Sequence, residues 1–325
     1  MRIHRLYFLL LILIIHSCDQ GEIAIEVEPG EILIDQVDLN SDYRYQIYYN
    51  LSSSSITSTN IKTNWDLAFE NGEDGFHVLL NSSTFSQIAI ISNLSFESTV
   101  SVPNPVTWRW DSPSGYLDST AILGYPHHFN VYILDRGIDE NGMSRGYKKF
   151  MIDTITNTYY KIRYANLDNT ETNYIQVDKQ SHFSFTQFSF DNNIINQPKK
   201  EDWDLLFTQY THLFLDNITT PSYLVTGVLI NSFNNISVAV DSVNIFENIN
   251  YSMINDYTFL TNMNAIGYNW KEYNFTSQLY EINPNITYII KDSEDRYFKL
   301  QFIDFYNSNG AKGAPKFYLQ ELKGI

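Results

Sequence analysis

The chain has 325 residues, with 21 Lys and Arg against 37 Asp and Glu, for a formal net charge of −16. That balance argues against nucleic acid, and against an anionic membrane surface, as partners. With one cysteine in the whole sequence, a disulfide framework and sulfur-rich metal sites are excluded.

Arg2 and Arg5 precede an apolar run, Leu9 to Ile15, that is too short to span a bilayer comfortably. The run leads into Ile15-His16-Ser17-Cys18, and a sole cysteine directly after such a core reads as a lipid acceptor. The expectation is an export signal over 1–17, acylation of Cys18, and an acidic tether over 18–40 carrying Asp19, Glu22, Glu26, Glu28 and Glu31. The membrane would then be touched only through the lipid, with the protein anchored at the outer membrane and exposed at the cell surface.

Beyond the tether, aromatic residues make up 15% of the sequence, and short alternating runs recur. Tyr43, Tyr45, Ile47 and Tyr49 share one face of a period-two pattern, as do Ile236, Val238 and Val240. Turn signals separate the runs at Asn71-Gly72, Asn141-Gly142, Asn309-Gly310 and Asp292-Ser293-Glu294-Asp295. Many short strands with such punctuation predict an all-β fold of antiparallel sheets with few short helices. One short helix is predicted over Ser242–Ile249, where Val243, Phe246 and Ile249 fall at helical spacing.

The sequence also repeats itself. Asn64-Trp65-Asp66-Leu67-Ala68-Phe69 returns as Asp202-Trp203-Asp204-Leu205-Leu206-Phe207, and Lys161, in Tyr159 to Tyr164, lines up with Lys299 at the same 138-residue offset. The loops do not keep step: Phe69 to Asn81 spans 12 positions and Phe207 to Asn231 spans 24. A duplicated unit is inferred, with β-rich copies over 41–179 and 180–325. Each opens on an aromatic alternating strand (Tyr43 to Leu51; Phe183 to Phe190), and each has an aliphatic-Gly-Tyr corner (Leu123-Gly124-Tyr125; Ile266-Gly267-Tyr268). Two domains and two halves of one continuous sheet are both compatible with this pattern.

For chemistry, Trp65 and Trp203 read as equivalent core anchors, with Asp66 and Asp204 accepting from backbone amides at a strand end. His127 and His128, adjacent after Tyr125-Pro126, form the best soft-ligand spot, although two turn histidines are the commoner explanation of such a pair. Asp135 to Gly146 partly resembles a calcium loop but lacks the closing bidentate Glu, so a hairpin turn accounts for it better. No nucleophile elbow, phosphate loop or dinucleotide fingerprint is present, and the expected class is a binding protein rather than an enzyme.

Several of these positions, taken in order, resemble the HmuY family of lipid-anchored haem-binding proteins of Bacteroidetes. They are the Phe183 to Phe190 strand, Trp203-Asp204-Leu205-Leu206, Tyr288-Ile289-Ile290-Lys291-Asp292, and Phe298-Lys299-Leu300 on to Tyr306. The resemblance implies an almost all-β fold clamping haem between projecting loops, with His or Met as axial ligands from the middle segment. Between Ile230 and Thr287 this sequence has no histidine, which leaves Met253 and Met263, together with His212, in the second copy and His127 or His128 in the first. Haem acquisition at the cell surface, with an outer-membrane receptor as a further partner, is the leading expectation. Its rival is a module for a peptide, a polysaccharide or a protein partner.

Overall fold

The computed structural model describes residues 30–126, 130–214 and 221–324. Three strands come first: β1 (Leu33–Gln36), β2 (Tyr45–Asn50) and β3 (Ser55–Ile61). Six follow as antiparallel neighbours or hairpins: β4 (Leu67–Glu70), β5 (Val78–Leu80), β6 (Gln87–Ile91), β7 (Val131–Asp135), β8 (Tyr147–Ile155) and β9 (Tyr159–Ala165). Then come β10 (Asn173–Asp178), β11 (Phe185–Ser189) and β12 (Asn193–Ile194). The last group is β13 (Leu205–Leu213), β14 (Ser222–Ile230), β15 (Ser237–Asp241), β16 (Lys271–Asn274), β17 (Leu279–Ile282), β18 (Thr287–Lys291), β19 (Tyr297–Tyr306) and β20 (Lys312–Leu322). All pairings of these strands are antiparallel, and every helical segment described is a 3-10 turn, so the fold is all-β.

Each predicted turn signal falls between two strands. Asn71-Gly72 joins β4 to β5, Asn141-Gly142 lies between β7 and β8, the Asp292 cluster joins β18 to β19, and Asn309-Gly310 joins β19 to β20. At the calcium-like stretch, Asp139 Oδ1 accepts from the amides of Asn141 and Met143, which closes a turn and accounts for the acidic residue. The helix expected over Ser242–Ile249 does not form. Asp241 Oδ1 accepts from the amides of Val243 and Asn244, which bends the chain away from helical geometry, and only a 3-10 turn at Phe246–Asn248 remains.

Two pairs of sheets result. The order β10-β9-β8-β7-β6 faces β12-β11-β4-β5 across a core that includes Leu67, Phe69, Tyr132, Phe150, Ile162 and Phe188. The order β1-β20-β19-β18-β15 faces β14-β13-β2-β3 across a second core that includes Ile47, Tyr49, Phe207, Val228, Leu300 and Phe317. One half of the molecule, β4 to β12, is therefore contiguous in sequence. The other is split, β1 to β3 completing β13 to β20. The segments 41–179 and 180–325 each give a strand to the other's sheet: β2 pairs with β13, and β11 pairs with β4.

Asp66 and Asp204 hold these exchanged strands in place. Asp66 Oδ2 accepts from the amide of Phe190, just beyond β11, and Asp204 Oδ2 accepts from the amide of Leu51, just beyond β2. The expected carboxylate-to-amide bond is present at both Asp66 and Asp204, each reaching a strand from the other segment. Asn81 and Asn231 are matched too. Each side-chain amide donates to two carbonyls of the preceding 3-10 turn, Lys62 and Trp65 in one half, Lys200 and Trp203 in the other.

The second sequence anchor lands elsewhere. Lys161 is exposed on β9, whereas Lys299 is buried on β19. The residue that shares the Lys299 environment is Lys149 on β8. Lys149 Nζ donates to the carbonyls of Phe96 and Thr99 and lies 4.6 Å from the Phe96 ring centre. Lys299 Nζ donates to those of Phe246 and Ile249, 4.3 Å from the Phe246 ring. Between Lys149 and Lys299, as between Asn81 and Asn231, the offset is 150, since the extra residues after Phe207 shift everything downstream. The 138-residue offset thus pairs Lys161 and Lys299, which stand in unlike environments.

Candidate functional site

The added length after Phe207 is strand. Whereas β4 and β5 are short, β13 and β14 run nine residues each, paired from Leu205↔Ile230 to Leu213↔Ser222. The extra pairs carry the hairpin past the end of the core. Beside its outer strand the β16–β17 hairpin stands up, joined to β14 by a two-way backbone bridge between Val228 and Gly267. At Gly227 a Cβ would lie 2.4 Å from the Gly267 carbonyl oxygen, so only glycine permits that close approach. Beyond the bridge the two hairpins part and enclose a groove of about 1170 Å³.

The groove is aromatic. Tyr43, Tyr223, Tyr268, Tyr273, Phe275 and Tyr280 line it. Phe275 is 86% exposed and Tyr223 60% exposed, a large apolar presence that no packing within the chain explains. Tyr43 has a buried hydroxyl with no hydrogen-bond partner, and burial, followed by the nearby Tyr280 phenol, raises its pKa. At the foot of the groove lies Lys271, 7% exposed, its Nζ donating to the Thr226 carbonyl. The ammonium sits 4.3 Å from the Trp270 ring centre and 4.8 Å from that of Phe305, and burial pushes its pKa down to about 7.

The three described candidate donors, His212, Met263 and Met253, are scattered. His212 stands on the extended part of β13, edge-on to Phe214 and Tyr268, both of which line the groove. Its Nδ1 is buried without a partner, and desolvation lowers the imidazole pKa. Met263 lines a different space, a cavity of about 120 Å³ between the two halves that also meets Trp65, Trp203 and Tyr48. Met253 lies in the 3-10 turn Tyr251–Asp256, whose Ile254 packs with Ala239 and Ile289 on the outer face of the far sheet. A whole sandwich thus separates Met253 from His212, and the two cannot face one ligand. His127, His128 and Cys18 lie outside the described residues.

Trp65 and Trp203 do occupy equivalent places, but they are half-buried and belong to neither main core. Trp65 Nε1 donates to Gln46 Oε1, and Trp203 packs edge-on against Tyr48 at 5.1 Å. Both therefore serve the joint between the halves. Among the described residues no group of three or more His, Cys, Asp or Glu side chains gathers as a metal site.

The profile described as HmuY protein matches residues 42–319. The chain belongs to the HmuY family. No curated protein matches it. Among solved structures, this HmuY-family chain is similar to apo PinO from Porphyromonas gingivitis, at 9% identity, covering 91% of this chain and 99% of that one, with a TM-score of 0.30. It is also similar to the apo HmuY analog TFO of Tannerella forsythia, at 9% identity, covering 92% and 100%, with a TM-score of 0.26. A third is a HmuY-like heme binding protein from Bacteroides vulgatus, at 10% identity, covering 89% and 91%, with a TM-score of 0.25.

The groove residues Tyr223, Lys271, Tyr273, Phe275 and Tyr280 are not singled out by any motif. The signal that points to them is the 24-residue span from Phe207 to Asn231 against 12 in the other copy. Length added to one of two matched strand pairs alone is where a new site can be built.

Proposed function

We propose that this chain is a ligand-binding lipoprotein whose site is the groove beside the β13–β14 hairpin, with haem as the first ligand to test. The observation that carries the reading is the hairpin extension, which turns a strand pair into one wall of an open aromatic groove in one half only. At about 1170 Å³ the groove is slightly larger than the roughly 300–1,000 Å³ usual for sites of small ligands and cofactors, so it has room for a cofactor-sized ligand. Membership of the HmuY family supports haem, and aromatic walls suit a flat macrocycle.

Haem supplies an iron that takes nitrogen or sulfur donors. His212 is the described residue that fits one such position, having a buried, unpartnered ring nitrogen at the groove margin. Its lowered pKa keeps it neutral at pH 7, the form in which imidazole ligates. Titration of the full chain with haemin, followed by the Soret band, tests the reading. A shift lost or weakened in His212→Ala supports it; no shift with either oxidised or reduced haem overturns it. His127→Ala, His128→Ala, Met253→Ala and Met263→Ala belong in the same series.

The rival reading is a module for a peptide, a polysaccharide or a protein. It is favoured by the described residues offering one axial donor where a facing pair would be needed. Acylation at Cys18, placement at the outer membrane and delivery to a receptor there complete the proposal. Duplication is part of it also. It is supported by the equivalent sheet orders and by the matched Asn81/Asn231, Asp66/Asp204 and Lys149/Lys299 bonds.

A further inference from the structure

We infer that Lys271 is the anion-recognising residue of the groove, and that the ligand is a flat apolar or aromatic molecule carrying a carboxylate or a similar anionic group. This deepens the groove-binding reading and rests on it, but does not depend on the ligand being haem.

Among the described residues five lysines are buried, Lys62, Lys148, Lys149, Lys271 and Lys299, and of these only Lys271 lines the groove; Lys62 donates to Gln209 Oε1, and Lys148 to the Asn166 and Glu171 side chains. Lys149 fills its donors with three carbonyls and the Asn169 side chain. Lys299 reaches two carbonyls. Both stitch a turn to a sheet, and neither lines the groove. Lys271 is also buried, lines the groove, and reaches one carbonyl. An ammonium has three N–H donors, so two are left for a guest. No carboxylate among the described residues pairs with it, although the chain as a whole is strongly acidic.

The rings of Trp270, Phe305 and Tyr280 lie 4.3, 4.8 and 5.7 Å from the ammonium. They stabilise a cation there without supplying an opposite charge. The charged and titratable groups that share the groove with it are Glu272 and Tyr273 on its own strand, Tyr280 on β17, Tyr223 on β14, Tyr306 on β19, Tyr268, Tyr43, and Lys312, which lies 5.2 Å from the Tyr43 ring. None is hydrogen-bonded to Nζ. Burial without a counter-charge disfavours the ammonium, and an anion entering the groove reverses that. Guest and proton are thereby coupled: the anion binds the protonated site, and binding raises the amine's pKa.

The test uses the full chain and two matched probe pairs. The first is protoporphyrin IX against its dimethyl ester; the second is 8-anilinonaphthalene-1-sulfonate against the neutral N-phenyl-1-naphthylamine. Wild type should bind the anionic member of each pair about ten- to a hundredfold more tightly, the range of a charge-assisted hydrogen bond in a desolvated site. Lys271→Met should bind both members alike, and Lys271→Arg should keep the preference. Should the Met variant fail to fold, wild-type affinity for the anionic probes must still fall as pH rises from 6 to 8 while the neutral probes are unaffected.

Equal binding of both members by wild type, or a preference that survives in Lys271→Met, overturns the inference. Binding of none of the four probes overturns it together with the groove reading. Lys271-dependent binding of the anionic probes, with no haemin Soret shift, leaves the inference standing and removes haem.

Discussion

Asp66 and Asp204 are twins in sequence, and the structure predicts that neutralising them has unequal consequences. Asp66 is fully buried and meets two guanidinium groups, Arg136 Nε at 2.9 Å and Arg145 at 2.9 Å, besides the amide of Phe190. Asp66→Asn leaves two nearly buried cations short of a partner, because the Asp191 carboxylate reaches only Arg136. Breaking a buried ion pair from one side costs about 3–5 kcal/mol. Asp204 has the Leu51 amide and no salt bridge among the described residues, and burial raises its pKa from 3.8 to about 6. At pH 7 its ionised form is held against that desolvation, so Asp204→Asn, which keeps an oxygen acceptor for Leu51, should cost about 0–1 kcal/mol or stabilise slightly.

The sign with pH follows. A carboxylate whose folded pKa is raised contributes stability in acid and loses it as pH climbs from about 4 through about 6. The loss is of order 3 kcal/mol for a shift of about two units. Urea unfolding of wild type, Asp66→Asn and Asp204→Asn at intervals from pH 4 to pH 7.5 measures both effects. The difference between wild type and Asp204→Asn isolates Asp204 from Asp111, which burial also raises to about 6. If Asp204→Asn costs as much as Asp66→Asn at pH 7, or if the wild-type-minus-Asp204→Asn difference is flat with pH, the argument from unequal partners is wrong.

Lys299→Met should destabilise by about 2–4 kcal/mol at pH 7, since the carbonyls of Phe246 and Ile249 lose their buried donor; thermal unfolding measures it. Gly227→Ala forces the hairpin off Gly267 and should abolish binding of flat probes while costing about 1–3 kcal/mol, so an unchanged probe affinity would refute the bridge as the groove's hinge point. Cys18→Ser should release the chain from membrane fractions, and co-fractionation like that of wild type would place the anchor elsewhere.

Strand content, turns and the paired Trp-Asp motifs were legible in the sequence because they are local. Period-two aromatic runs can bury one face only as strands, and Asn-Gly pairs tolerate the backbone that tight turns require. The role of Asp66 and Asp204 was equally readable, because a short carboxylate after a tryptophan at a strand start has amides within reach. Which strand supplies those amides was not: β2 sits in the sheet of β13, and β11 in that of β4, a choice made between segments more than a hundred residues apart. An alternating strand fits either repeat's sheet by its pattern alone, so only the packing of both cores selects the exchanged arrangement. The same reason hid the groove. A longer hairpin is visible as a count between Phe207 and Asn231, but β16, β17 and Lys271 come to stand beside it through the backbone bridge at Val228 and Gly267 and the Lys271–Thr226 bond. Local pattern thus determined which segments are strands, while contacts between distant segments decided their partners and what they enclose.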